Sequence, residues 1–577
     1  MPSSPASQDA AIHRFFEEAF QERLHRSPQS MTALGINRDQ DRLDDLSDAK
    51  LSDDHELIAE QLQRLEGFDF TKLSPSNRLN YRLFQNEAGL KLKRFPFRFH
   101  EYTVTQKFGL HTDFPAFMIN MHRIASVQDA HNYLARLQAV RKAGLQVMDA
   151  MQQRAALGII PPAFLLPQII DDCKRFLGEA NDPSLERNSL YVDFRNKLAV
   201  LHIDETYRAD MLQRARQVLL NDVLPFYQGL ATYMESQLPD APAEGGASRL
   251  PDGAAYYHLC LERHTSTSMT ADEIFELGCR QVRDLQEEIL ALQTQLGRRG
   301  SLQELFEFAR DHPEFHYPQT EAGRQACLRD LHAYVEKISP LLPGLFGLLP
   351  QDALQIKAVE DHRERTAGLA FYEGPAADGS RPGIFYVNLY DLRQLPIFAV
   401  EALAYHEALP GHHLQFSIAN RLQGLPLFRR YVDYTAYIEG WGLYSERLAK
   451  ESGLYQDPWS DFGRLTQELK RACRLVVDSG LHAKAWTREQ AIAYMHNNTP
   501  SSLGQVIKEV DRYIVMPGQA TSYKVGMEKI LGLREAAQTS LADSFRLSAF
   551  HDELLRHGPL PLGLLEEQVK AWADGLH

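Results

Sequence analysis

Cysteine is scarce in this chain: five residues, Cys173, Cys260, Cys279, Cys327 and Cys473, are scattered through 577 positions and never spaced as CxxC. An odd, dispersed set argues against a disulfide framework and reads as reduced core thiols, which fits the cytosol. Long apolar runs are also missing. No stretch approaches the roughly 18 residues needed to span a bilayer. Met1 to Ala10 is polar, and Ile12, Phe15, Phe16 and Phe20 alternate with Glu17, Glu18 and Arg23 in a helical pattern. A basic region followed by an apolar core, the mark of a secretory leader, is not seen. Positive charge is in deficit, with a formal net charge of -14. A nucleic-acid partner favours a basic face, so the charge balance argues against that class. The expectation is a cytoplasmic protein with neither membrane nor nucleic acid as partner.

What is present is an ordinary globular composition, 44% apolar and 24% charged, in a chain long enough for a large core. Helical periodicity dominates from Ile12 to about Leu230. Ser126 to Met151 illustrates it, with Ser126 as N-cap and Tyr133, Leu137, Val140, Val147 and Met151 on one face. The first half carries no fingerprint of catalysis. Gln237 to Gly253, rich in proline and glycine, is the best internal boundary and divides residues 1–240 from 250–577. Thr270 with Glu273, and Ser301 with Glu304, match the capping-box pattern and predict helix starts. The pattern changes at Leu369 to Tyr372 and Ile384 to Asn388, two short aromatic and β-branched runs that read as strands.

The densest chemistry lies in Tyr405-His406-Glu407-Ala408-Leu409-Pro410-Gly411-His412-His413. Three imidazoles and a carboxylate form the side-chain set that binds zinc and activates water. The usual zinc-protease spacing puts histidines at i and i+4 of one helix. Here the i+4 position is Pro410, and on a straight helix neither His412 nor His413 could join His406 at one ion. Pro410-Gly411 can loop the chain out between two helical pieces and swing His412 back beside His406. A slightly different path would recruit His413 instead.

A third ligand belongs on a neighbouring helix. Tyr431 to Ser452 carries an apolar stripe of Tyr434, Ile438, Trp441, Tyr444 and Leu448, with Gly453 as a stop. Glu439 lies off the stripe, just ahead of two residues that let another helix come close, Gly440 and Gly442, and completes a His-His-Glu set. Glu446, about two turns on, offers the same chemistry. Pro396 suits the first turn of the helix that carries His406. Arg464 to Ala485 reads as another amphipathic helix, with Asp478 and His482 on one face. Asp478 could take the second N–H of a metal-bound imidazole.

The strings HEALPGHHLQ and EGWGLYSE, then Arg474 to His482 and Pro517 to Gly526, resemble in order a bacterial family known as a domain of unknown function and placed among the gluzincin metallopeptidases. The resemblance spans most of the chain. It implies a mainly α, large helical metallopeptidase fold, with a small β-sheet next to the active-site helix and a deep central cleft. Residues 1–240 would form one wall of that cleft and 250–577 the catalytic half, as two lobes of one fold. It further implies one zinc ion per chain on His406, His412 and Glu439, with Glu407 as general base. His482 and Tyr523 become candidate donors to the developing oxyanion, and a strand ahead of the metal helix would pair with an extended substrate. Lys524 and Arg534 read as charges on a solvated face, with a substrate carboxylate as the alternative partner.

The expected activity is zinc-dependent hydrolysis of short peptides. A zinc-dependent amide or ester hydrolase of a small metabolite uses the same residues. A non-catalytic peptide-binding relative is disfavoured by Glu407, which binding alone does not need.

Overall fold

The structure is a computed structural model that describes residues 5–179, 185–360, 364, 367–376, 379 and 381–575. It is mainly α, as the periodicity predicts, with one small sheet. Two compact units follow one another, Met1–Gly245 and Gly246–His577.

The described residues of the first unit form helices joined by irregular segments, with no strand. Its longest helix, Val127–Ala156, begins where the Ser126 hydroxyl accepts the Asp129 backbone N–H. The predicted stripe of Tyr133, Leu137, Val140, Val147 and Met151 is buried, and it packs with Phe226, Tyr227 and Leu230 of the helix Leu224–Gln237.

In the second unit both predicted capping boxes are formed, at the starts of Ala271–Leu292 and Leu302–Asp311. Three strands, β1 (Leu354–Ala358), β2 (Ala370–Glu373) and β3 (Gly383–Val387), make a sheet in the order β1-β3-β2. β2 pairs with β3 antiparallel, Ala370 opposite Val387, while β1 pairs with β3 in parallel. The two predicted strands are β2 and β3. β1 was not predicted, although Leu354-Gln-Ile-Lys-Ala alternates apolar and polar residues as a half-buried strand should.

Every residue of β3 is buried. Ile356, Phe385 and Val387 pack with Val400, Ala404 and Ala408, so the sheet braces the helix that carries His406. That helix is α1 (Ile397–Glu407), followed by α2 (His412–Arg421) and α3 (Thr435–Glu451). Then come α4 (Pro458–Ala483), α5 (Leu503–Val515) and α6 (Ser522–Leu541). Pro396 is the N-cap residue of α1, one position before its first turn. α4 starts earlier than predicted, because the Asp457 carboxylate accepts the Trp459 N–H and Pro458 suits the first turn. No helix among the described residues is long and apolar enough to cross a membrane.

Candidate metal centre

α1 ends at Glu407, and the chain turns out of helical geometry at Ala408 (φ -100°, ψ -100°) before α2 restarts at His412. Gly411 lies directly on the carbonyl oxygens of Tyr405 and His406, where any Cβ would collide with backbone. The indole N–H of Trp441 reaches the carbonyls of Pro410 (3.0 Å) and Gly411 (3.3 Å) and ties this loop to α3. Two broken helices and a third crossing helix thereby share one fixed junction.

At that junction the rings of His406 and His412 lie 4.8 Å apart and nearly perpendicular. Glu439 Oε2 is 3.5 Å from His406 Nε2 and 3.6 Å from His412 Nε2. One ligand atom from each residue falls within 4.8 Å of the others. Among the described residues, no other group of three or more histidine, cysteine or carboxylate side chains converges in this way. Lone pairs aimed at a common point repel unless a proton or a cation sits among them, and two imidazoles plus a carboxylate suit zinc. The residues present therefore fit the metal. The histidines are buried, whereas about a fifth of the Glu439 side chain (21%) stays accessible, so the cluster opens on that side.

The alternatives separate cleanly. His413 accepts the Tyr372 hydroxyl at Nδ1 (2.9 Å) and donates from Nε2 to the Asp352 carbonyl (3.1 Å), away from the cluster. Glu446 Oε1 accepts the Nδ1–H of His406 at 2.8 Å, which leaves Nε2 of that ring facing Glu439. Glu446 thus takes the imidazole hydrogen bond that the sequence suggested for Asp478. Asp478 instead accepts the Tyr257 hydroxyl (2.6 Å) and the Gly518 N–H (3.0 Å), deep in the core.

Electrostatics follow from this packing. Burial alone would raise the Glu439 carboxyl, but His406 and His412 hold it well below the usual carboxylate range. Burial opposes charge on His406, yet Glu439 and Glu446 hold its pKa up at about 9. Burial pushes Glu407 up, with Glu439 adding to the effect and the two histidines opposing it.

Tyr523 stacks on His406 (6.5 Å between ring centroids, 24° between planes), and the Arg474 guanidinium lies 4.7 Å from its ring. His482 requires a correction. Its Nδ1 accepts the Ala247 N–H (2.9 Å) and its Nε2 donates to the Tyr513 carbonyl (3.0 Å), so neither nitrogen is left for an oxyanion. Lys524 and Arg534 are corrected too. Lys524 is fully buried between Glu468 (2.6 Å) and Glu528 (2.9 Å), and Arg534 pairs with Glu451 (2.6 Å).

The model of a family described as "Bacterial protein of unknown function (DUF885)" matches residues 28–569. Among solved structures, a "putative lipoprotein" from Colwellia psychrerythraea superposes with a TM-score of 0.90 at 29% identity, covering 98% of this chain and 99% of that one. A "putative lipoprotein of unknown function" from Shewanella oneidensis shares the fold, with a TM-score of 0.76 at 17% identity over 96% of this chain and 98% of that one. No curated protein matches the chain.

Proposed function

This chain belongs to that bacterial family of unknown function, and from its site we propose a metallopeptidase that hydrolyses short peptides with one zinc ion per chain. The observation that carries the reading is the convergence of His406, His412 and Glu439 within 4.8 Å, beside the buried carboxylate of Glu407. Those three residues would hold the ion. When bound, zinc supplies Lewis acidity that makes water a stronger acid and polarises a carbonyl.

The chain's own groups do the rest. Glu407 takes a proton from the attacking water and delivers it to the nitrogen of the departing amine. Tyr523 donates its hydroxyl hydrogen to the oxygen that becomes negative during attack. Glu446 fixes the His406 tautomer through the 2.8 Å bond at Nδ1. β2, an edge strand of the sheet, offers backbone groups to an extended peptide.

The test is metal content by elemental analysis on wild type, Glu439→Ala and Glu407→Gln, followed by cleavage of a mixed short-peptide library. One zinc per chain in wild type, loss of metal in Glu439→Ala alone and loss of cleavage in both variants is the expected result. Absence of metal under zinc-replete conditions would overturn the site. Metal without peptide turnover would move the reading to an amide or ester hydrolase of a small metabolite.

A further inference from the structure

Four cations gather beyond Tyr523. Lys470 and Arg471 are neighbours on α4, Arg474 stands about one turn further along it, and Arg512 comes from α5. One carboxylate bridges this group: Glu509 accepts from Arg474 Nη2 (2.7 Å), Arg512 Nη2 (3.2 Å) and the Tyr513 hydroxyl (2.6 Å). Arg471 bonds Gln467 and lies 3.9 Å from Glu446, which His406 already engages. Nη1 of Arg474 and Nε of Arg471 are buried with no partner.

Lys470 is the residue left over. It is half-buried, and among the described residues its ammonium makes no hydrogen bond or ion pair. Burial lowers its pKa to about 8, with the three guanidiniums adding to the effect and Glu509 opposing it. The fully buried Lys524, in the same unit, shows what a structural lysine looks like here, held between two carboxylates. With Glu509 already shared by Arg474 and Arg512, Lys470 is costly to keep charged among three guanidiniums unless a further anion joins it.

The cluster adjoins the candidate metal centre. The Tyr523 ring stacks with His406 (6.5 Å between centroids) and also lies near the guanidiniums of Arg474 (4.7 Å) and Arg471 (5.9 Å). Through Tyr523, Arg474 can lie no farther from His406 than about three residues of extended chain at ~3.5 Å per residue. We propose that Lys470, supported by Arg471, Arg474 and Arg512, is an anion subsite for the free C-terminal carboxylate of a short peptide. Cleavage would then fall close to that end of the peptide. The proposal rests on the peptidase reading and names its substrate class.

The test compares an alanine tripeptide and tetrapeptide with their C-terminal amides on the zinc-loaded full chain. Hydrogen bonds to a charged group predict a preference of about 10- to 100-fold in kcat/KM for the free acids. Lys470→Gln should shrink that preference to about twofold or less, and Lys470→Arg should keep most of it. Binding of the same four peptides to the Glu407→Gln protein, measured by calorimetry, reads the same preference even if no peptide is turned over. Failure of the peptidase reading is thereby separated from failure of the subsite. Equal handling of acids and amides by wild type, or an unchanged preference in Lys470→Gln, overturns the proposal. So does an amidated peptide that recovers the full preference through an internal glutamate, which would assign the cluster to acidic side chains.

Discussion

The backbone of Gly442 lies against the His406 imidazole so closely that a Cβ at residue 442 would sit 2.7 Å from Cε1 and 2.8 Å from Nε2 of that ring. The ring is held from its other edge by Glu446 and has no free rotation to offer. Gly442→Ala should therefore tilt the imidazole off its axis. Alanine favours the helix by about 0.5–1 kcal/mol over glycine, so α3 itself gains. The expected result is zinc affinity reduced about 10- to 100-fold, as for other changes that misorient a ligand. Competition with a chromophoric chelator measures it, and circular dichroism checks that helicity is kept. Wild-type affinity in this variant would mean that His406 is not a ligand.

Glu446 acts on the same ring from a different direction. Its Oε1 accepts the Nδ1–H of His406, and its other oxygen has no partner. Glu446→Gln retains an acceptor but removes the charge, whereas Glu446→Leu removes both. Zinc affinity should fall about tenfold in the first and nearer a hundredfold in the second. Equal effects would show that the charge, not the hydrogen bond, is what the ligand needs.

Much of this site could be read from the sequence because its determinants are local. Pro410-Gly411 between two histidines predicts a looped-out turn, and Gly442 near Glu439 predicts a close helix approach. Both depend on backbone chemistry confined to a few residues. The helical stripe at Tyr133 to Met151 and the capping boxes were legible for the same reason. The roles of Glu446, Asp478 and His482 were not, since which carboxylate meets which imidazole is decided by helix rotation and packing. Spacing on α4 puts Asp478 and His482 on one face, but only the fold shows that this face meets Tyr257, Gly518 and Ala247. Lys524 misled for a related reason: its partners Glu468 and Glu528 come from two helices, and only the nearer one is visible as an i+4 pair.

Lys524 tests that distinction. Lys524→Met leaves Glu468 buried, with Arg464 at 3.5 Å as its remaining cation. Removing one partner of a buried pair costs about 3–5 kcal/mol. The denaturation midpoint in urea should fall accordingly, and Lys524→Met with Glu468→Leu together should recover most of the loss. A stability unchanged by the single substitution would make Lys524 a candidate substrate contact again.

Asp478 gives a prediction whose sign is fixed by its surroundings. Burial pushes its carboxyl up to about 7, although the Tyr257 hydroxyl and the Gly518 N–H pull in the opposite sense. The ordinary value is 3.8, so between about pH 4 and 7 the folded chain holds a proton that the unfolded chain has released. Stability then decreases as pH rises across this window and levels off above it. Each pH unit between the unfolded and folded values is worth ~1.4 kcal/mol, so the contribution approaches about 4 kcal/mol. Other groups titrate in the same range, so the useful quantity is the difference between wild type and Asp478→Asn. Asparagine keeps an Oδ1 that can accept both bonds now made there (2.6 and 3.0 Å) while removing the titration. The stability of wild type relative to Asp478→Asn should fall steadily from about pH 4.5 to 7 and be flat beyond about pH 8. Urea denaturation of both proteins at several pH values measures it. A constant difference across that range would show that Asp478 is already ionised in the core, with its two hydrogen bonds outweighing burial.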